Sequence, residues 1–366
     1  MGQQYLTESE KELLTAIGRY PHMSFKELID YTNYKRLSSI VRKVKELRER
    51  NILWGPVYTL DYGKLCKNPL HSLMCVIEFE KDYETIIEYL KLIEPLVWVY
   101  RVLSSHKEVL IAGFLSSDDV AVAALLQLLK DNSIIKDFIV RARCHRDVEE
   151  CPNFFGDPVP PLDTLYDPCE PPDISFGQHD TKWNECDIRT LSYLCGGYES
   201  VKLVEILKKE RKLHDRVWKY DQIKYSYRKM IKNKLIERRY YIHPFPLEQC
   251  ADFFLFLRTE DIGLTLRILC NFAKGGRIYR EYSLRGDWGL IGCICHPQFV
   301  IDLMHKLDQV DEIKEKELYH KRSFPPGIRY VGEYTEFTYY DVDTQTLEYP
   351  YGIFKERVKE KLESEK

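Results

Sequence analysis

The same succession of sequence signals occurs twice, over residues 6–145 and again over 186–322, and this restricts the architecture more than any other feature of the chain. Leu47-Arg48-Glu49-Arg50-Asn51-Ile52-Leu53 closes a basic helical segment in the first half, and Met230-Ile231-Lys232-Asn233-Lys234-Leu235-Ile236 closes one in the second. Val99-Tyr100-Arg101 recurs as Ile278-Tyr279-Arg280, Ile111-Ala112-Gly113 as Leu290-Ile291-Gly292, and Ile135-Lys136 as Ile313-Lys314. The spacing stays near ~180 residues and drifts by only a few, as changes in loop length produce. A period this long belongs to duplicated domains rather than to a solenoid, so two copies of one module are expected to act together.

At 366 residues the chain has room for about two to four domains. Its net charge is only −3, so binding to nucleic acid would depend on local basic surfaces rather than on a global field. No run approaches the ~18 apolar residues of a membrane span, and Met1-Gly2-Gln3-Gln4 does not open a secretory signal. The chain therefore reads as cytoplasmic, with no membrane partner. Its 11 cysteines, an odd number, lie mostly in apolar runs, as at Cys75, Cys250 and Cys270, which fits reduced, buried thiols rather than a disulfide framework.

Local signals define the elements. Thr7 with Glu10, and Ser24 with Glu27, are capping boxes that open two short helices. A third helix runs from about Ser38 to Arg50, and Ile52–Leu60, broken at Gly55-Pro56, reads as a two-stranded wing. Alternation and helical periodicity then give β-α-β-β-α-β over Leu73–Ala142, the ferredoxin-like order, which returns over Phe253–Tyr319. The second head reads as helices over Asp187–Gly196, Val201–Arg211 and Gln222–Lys234. Seven prolines within Cys151–Glu185 exclude regular structure there, and the interleaved Phe154, Phe155, Leu162 and Leu165 imply that this connector packs along a domain surface. The expected class is α+β, with winged helix-turn-helix domains at 1–65 and 186–245, ferredoxin-like domains at 70–146 and 250–323, a linker at 147–185, and a Tyr-rich hairpin and helix at 324–366. That hairpin could add strands to a partner's sheet edge.

The third helices are cationic on one side and apolar on the other, the division a DNA-reading helix needs. In the first head Lys35, Arg36, Ser38, Ser39, Arg42 and Lys43 are the candidate DNA-binding residues. In the second they are Lys224, Tyr225, Arg228, Lys229 and Lys232, with Arg238 and Arg239 on the expected wing. The two sets differ, so two DNA-binding heads would read different sequences.

The element order, together with Val44-Lys45-Glu46-Leu47-Arg48-Glu49-Arg50-Asn51-Ile52-Leu53, resembles the Lrp/AsnC family of feast/famine transcriptional regulators. The resemblance implies a regulator of transcription that binds double-stranded DNA and is not an enzyme, with Ser39, Arg42, Lys43, Tyr225, Arg228 and Lys229 facing DNA. It also implies dimerisation through the second domain, here as a homodimer or as a pseudo-dimer within one chain, and a small-molecule effector. The family's effector loop carries Gly and a nearby Asp. Gly286 and Asp287 keep that pattern, whereas Ser104-Ser105-His106-Lys107-Glu108 has no glycine.

Other chemistry is weaker in the sequence. The same architecture is used by sirohaem decarboxylases, for which Tyr100, Arg101, Tyr279 and Arg280 would be the cleft candidates. Such enzymes need His and Arg to hold a polycarboxylate tetrapyrrole, and packing with sheet-surface ion pairing is the competing reading of the four residues. Cys144, His145, Cys151, Cys169, His179 and Cys186 are too irregularly spaced for structural zinc, and Cys293, Cys295 and His296 read as core and loop positions before redox or metal sensing. Neither a metal nor a cofactor is expected.

Overall fold

The computed structural model describes residues 6–104, 107–143, 145–170, 172–195, 201–213, 218–322 and 336–365. It has the expected α+β class. The Thr7–Glu10 capping box opens α1 (Glu8–Arg19), which buries Leu13, Leu14 and Ile17. The Ser24–Glu27 box also forms, through reciprocal backbone-to-side-chain bonds, but the helix it starts is only a 3-10 turn over Glu27–Tyr31. The basic helix α2 (Leu37–Glu49) buries Ile40, Val44 and Leu47 against α1.

Strand β1 (Leu53–Leu60) departs from the expected wing. Gly55-Pro56 makes no hairpin turn: the strand passes through it with an irregularity between Trp54 and Val57, which is how a strand accommodates a residue lacking an N–H. Its partner lies in the other half of the chain. A short helix α3 (Tyr62–Leu65) leads into β2 (His71–Phe79), α4 (Tyr83–Leu90), β3 (Leu96–Leu103), β4 (Glu108–Ser116), α5 (Asp119–Asp131) and β5 (Asp137–Arg143), the ferredoxin-like order. A short β6 (Val148–Glu150) precedes the connector.

The second half repeats this order with α6 (Glu185–Cys195), α7 (Leu203–Leu213), α8 (Tyr220–Lys232) and β7 (Ile236–Ile242). Gly196, the expected end of its first helix, lies outside the described residues. Strand β7 pairs antiparallel with β1, from Leu53 opposite Ile242 to Leu60 opposite Ile236. Each head thus supplies one strand of a shared ribbon, and Arg238 and Arg239 belong to that ribbon instead of to a wing. Then follow β8 (Ala251–Thr259), α9 (Ile262–Asn271), β9 (Tyr279–Arg285), β10 (Trp288–Cys295), α10 (Pro297–Asp308) and β11 (Ile313–Lys321).

The two four-stranded halves join edge to edge, with the order β5-β2-β4-β3-β11-β8-β10-β9-β6. Because side chains alternate across a strand, Leu73, Cys75, Ile77 and Phe79 face the helices while Met74 and Val76 face the other way. These last two meet Val102 and Ile111 from their own half and Phe254, Phe256 and Leu290 from the other in one apolar cluster. The sheet faces of the two halves therefore lie against each other, with helices outside.

The connector packs along the domains through part of its apolar residues, with Phe155 left exposed. Phe154, Leu162 and Leu165 are buried, and the buried amide of Asn271 donates to the carbonyls of Leu165 and Asp167. At the C-terminal end the expected hairpin is reduced to β12 (Tyr340–Asp341) and β13 (Thr346–Leu347), followed by α11 (Tyr351–Ser364). Residues 324–335 of that expectation lie outside the described residues. Tyr340 donates to the Leu65 carbonyl and Phe354 is fully buried, so this segment is spent on the chain's own first half.

Candidate functional site

A partly open cavity of about 200 Å³ lies between the two halves. Strand alternation decides what enters it. On β5 residue 143 shares the inner face with Arg141, and on β9 residues 281, 283 and 285 do so, which brings Arg143, Glu281, Ser283 and Arg285 into the lining with Ser72, Met74, Trp98 and Leu290. The Trp98 indole lies flat over Gly113, where an added Cβ would stand 2.3 Å from the ring.

The polar groups of this lining are short of partners. Arg285, 5% exposed, donates from Nη1 to the Ser72 carbonyl at 2.8 Å, while its Nε has no hydrogen-bond partner and no ion pair is made by it among the described residues. Arg143 is ion-paired with Asp147, and its Nε is likewise unfilled. Burial pushes the Arg143 guanidinium down to about 9, with Arg285 adding repulsion, and burial pushes Arg285 down to about 10. A guanidinium gives up its proton with great reluctance, so the unfavourable burial is better relieved by an anion than by deprotonation. Glu281 is held above the usual carboxylate range by burial, with Glu149 adding to the effect and Lys321, Arg143 and Arg285 opposing it. Burial thus favours the neutral form of its carboxyl; the carboxylate paired with Arg143 is that of Asp147, while Arg285 makes no ion pair among the described residues.

The sheet register revises the equivalences suggested by sequence. Gly113 pairs with Met74 and Trp98, and Gly292 with Phe254 and Glu281. Taking the two glycines as equivalent, Trp98 corresponds to Glu281, Tyr100 to Ser283 and Val102 to Arg285. The matching letters Tyr100-Arg101 and Tyr279-Arg280 are therefore not at matching places. Adjacent residues also point to opposite faces, so a Tyr-Arg pair cannot both enter one cleft. Arg280 caps α9 from the helix side, donating to the carbonyls of Leu269, Cys270 and Phe272, and pairs with Glu150. Arg101 pairs with Glu108 beside the Tyr83 ring. Tyr100 packs in the inter-sheet cluster and Tyr279 donates to Glu149. Arg143, Glu281 and Arg285 were not singled out by sequence; inward parity on β5 and β9 was the available signal.

Gly286 has φ +64 and makes the tight turn between β9 and β10, and the adjoining Asp287 is ion-paired with Arg258 at 2.9 Å. Neither lines the cavity. Ser105 and His106, in the corresponding loop of the first half, lie outside the described residues.

On the heads, Lys35, Arg36, Ser38 and Arg42 are exposed and Ser39 is half-buried. Lys43 is instead drawn into the head by the buried Glu10 at 3.3 Å and by Glu46. In the second head Tyr225, Arg228 and Lys232 are exposed and Lys224 is half-buried, whereas Lys229 is bonded to the buried Asp187 and to the Lys182 carbonyl. Arg239 is paired with Glu149 and Glu237, and Arg238 bonds to the Tyr240 hydroxyl.

Among the described residues no group of three His, Cys, Asp or Glu could hold a metal ion; Cys144 lies outside them. Cys293 and Cys295 are core residues, and burial pushes the Cys293 thiol upward, opposite to a reactive thiolate. His296 caps α10. No described helix is long and apolar enough to cross a membrane.

No family model matches the chain, and no curated protein matches it. Among solved structures, the sirohaem decarboxylase NirDL, solved with an iron-uroporphyrin III analogue, is similar over 93% of this chain and 93% of its own, at 12% identity and a TM-score of 0.47. An AsnC family transcriptional regulator from Agrobacterium tumefaciens is similar over 37% of this chain and 89% of its own, at 15% identity and a TM-score of 0.30. The leucine response regulatory protein of Mycobacterium tuberculosis matches 37% of this chain and 91% of its own, at 14% identity and a TM-score of 0.29. Against the expectation that the chain is not an enzyme stands a solved structure, similar over 93% of the chain, that is an enzyme's; the two regulators are similar over 37%.

Proposed function

We propose that this chain is an enzyme of sirohaem-decarboxylase type that takes a carboxylate of its substrate into the cavity between its two halves. One observation carries the reading. The half-buried Arg143 and the buried Arg285, from different halves, both line this one cavity, and each has a buried Nε without a hydrogen-bond partner. Charge-assisted bonds from a guanidinium to a carboxylate are among the stronger and more directional contacts a protein makes. About 200 Å³ holds a small acid or one carboxylate-bearing arm, and the body of a tetrapyrrole would lie outside it.

The lining divides the chemistry. The arginines hold a carboxylate that remains on the substrate, while a carboxylate to be lost lies against Met74, Trp98 and Leu290, where poor solvation favours its departure as CO₂. Departure leaves the bonding pair on carbon, and a proton must be added there. No histidine is among the described residues that line the cavity, so Glu281, whose carboxyl burial holds above the usual carboxylate range, is the proton donor in this scheme. The strand pairings between halves, β1 with β7 and β3 with β11, support a pseudo-dimer of two like modules, with boundaries near 70–146 and 250–323, as the unit that encloses the site.

The test is a titration of the protein with iron-uroporphyrin III followed in the Soret region, beside an assay for CO₂ release from carboxylated tetrapyrroles. A spectral shift that weakens tenfold or more in Arg285→Leu is expected. No shift and no CO₂ from the unaltered protein would overturn the reading.

A second reading is favoured by the exposure of Arg42, 76%, and Tyr225, 67%: the two heads contact double-stranded DNA through α2 and α8. Binding to genomic fragments that falls steeply with salt and weakens in Arg42→Glu and Arg228→Glu is expected. Salt-insensitive binding unaffected by either change would count against it.

A further inference from the structure

The pseudo-symmetry of the sheets relates two places, one in each half, and they are furnished differently. In the first, Ala142 pairs with Leu73, so Arg143 stands beside Ser72. In the second, His320 pairs with Phe253, so Lys321 stands beside Asp252. The equivalent positions thus hold Arg143 and Lys321, Ser72 and Asp252, Met74 and Phe254. Ser72 carries no charge, and the cavity opens next to it. Asp252 is ion-paired with Lys321 at 2.7 Å, and the ammonium lies 4.1 Å from the centre of the Phe254 ring and 4.8 Å from that of Tyr100. The cation of the second place is therefore already satisfied by a carboxylate and covered by two aromatic faces.

We infer that Asp252 is a built-in substitute for a substrate carboxylate, which closes the second place and leaves one anion-binding site per chain. This rests on the reading of the first cavity as a carboxylate site. The groups facing the Lys321–Asp252 pair support it. Glu281 contributes to the field at Lys321 from β9, and Tyr100 reaches it from β3. Within the first cavity the position equivalent to Asp252 holds the uncharged Ser72, and the carboxylate paired with Arg143 is Asp147, which comes from beyond β5 and not from β2. Asp147 satisfies only one side of Arg143, and Arg285, where the other half has Val102, adds a second cation.

The experiment is calorimetric titration of the full chain with tricarballylate, a small tricarboxylate, for the unaltered protein, Asp252→Ser, and Asp252→Ser with Lys321→Met. One site, then two, then one are the expected counts per chain. Should Asp252→Ser not fold, Asp252→Asn, which keeps the size and removes the charge, is expected to show the same second site. A count of two in the unaltered protein, or a count that stays at one in a folded Asp252 variant, overturns the inference while leaving the first cavity's role intact. No binding by the unaltered protein overturns the carboxylate reading of the first cavity itself.

Discussion

Arg285 donates from Nη1 to the main-chain oxygen of Ser72 at 2.8 Å, a bond from β9 of one half to β2 of the other. It ties the guanidinium of this cavity-lining residue to the seam of the molecule, while the buried Nε has no hydrogen-bond partner. A charge placed so is poorly suited to stabilising the fold and well suited to recognising an anion.

Replacing Arg285 by Met is expected to separate these two properties. Removal of a buried cation that makes no ion pair among the described residues should raise stability by about 1–2 kcal/mol, while carboxylate affinity falls tenfold or more. Thermal melts and calorimetry on the same preparation measure both, and a lowered melting temperature with unchanged affinity would contradict the assignment.

Glu281 sets a pH dependence with a definite sign. Its folded value lies above the ordinary 4.5, so the folded state binds the proton more tightly than the unfolded chain. The resulting stabilisation is complete below the unfolded value and is lost as pH rises through the folded one. Carboxylate binding should weaken over the same interval, as the ionised side chain competes for Arg143 and Arg285. Melting curves across this range, compared with Glu281→Gln, should show the slope disappearing in the variant; an identical slope would exclude Glu281 as its source.

Charge reversals on α2 should have unequal effects. Lys43 sits against Glu10, which is 3% exposed and also bound by Arg50 at 2.8 Å, so Lys43→Glu places a second negative charge beside a buried carboxylate and should destabilise the first head by about 3–5 kcal/mol. Arg42, 76% exposed, should tolerate reversal within about 0.5 kcal/mol. Denaturant unfolding of the two variants makes the comparison, and equal losses would show that Lys43 is not held as described.

Gly113→Ala should disturb the cavity wall. The new methyl would meet the Trp98 ring at 2.3 Å, so the indole must leave its present position. A shift in tryptophan emission, a loss of about 1–3 kcal/mol in stability and altered carboxylate affinity are expected. Unchanged emission would mean that the indole does not rest on this glycine.

The order of elements was legible because it depends on local signals: apolar alternation along β2 and β8, the Thr7–Glu10 cap, and the prolines between 152 and 172. The strands His71–Phe79 and Ala251–Thr259 even share one burial pattern. The site was not legible. Arg143 and Arg285 come together only through pairing of distant strands, and no spacing in the sequence announces it. Matching letters misled where the ladder was needed, since Tyr100 stands level with Ser283 and not with Tyr279. The wing failed for a related reason: Gly55-Pro56 looked like a turn, but the partner strand was 180 or so residues away in the second half.

Linking the halves through residues 151–185 has a consequence for how such a molecule can change. In a dimer of identical chains every substitution is made twice, so an aspartate that closes one anion site would close both. Here a carboxylate at position 252 and a hydroxyl at position 72 coexist, because each is encoded once. Covalent continuity gives the molecule licence to be lopsided, one half keeping a vacancy while the other seals its own.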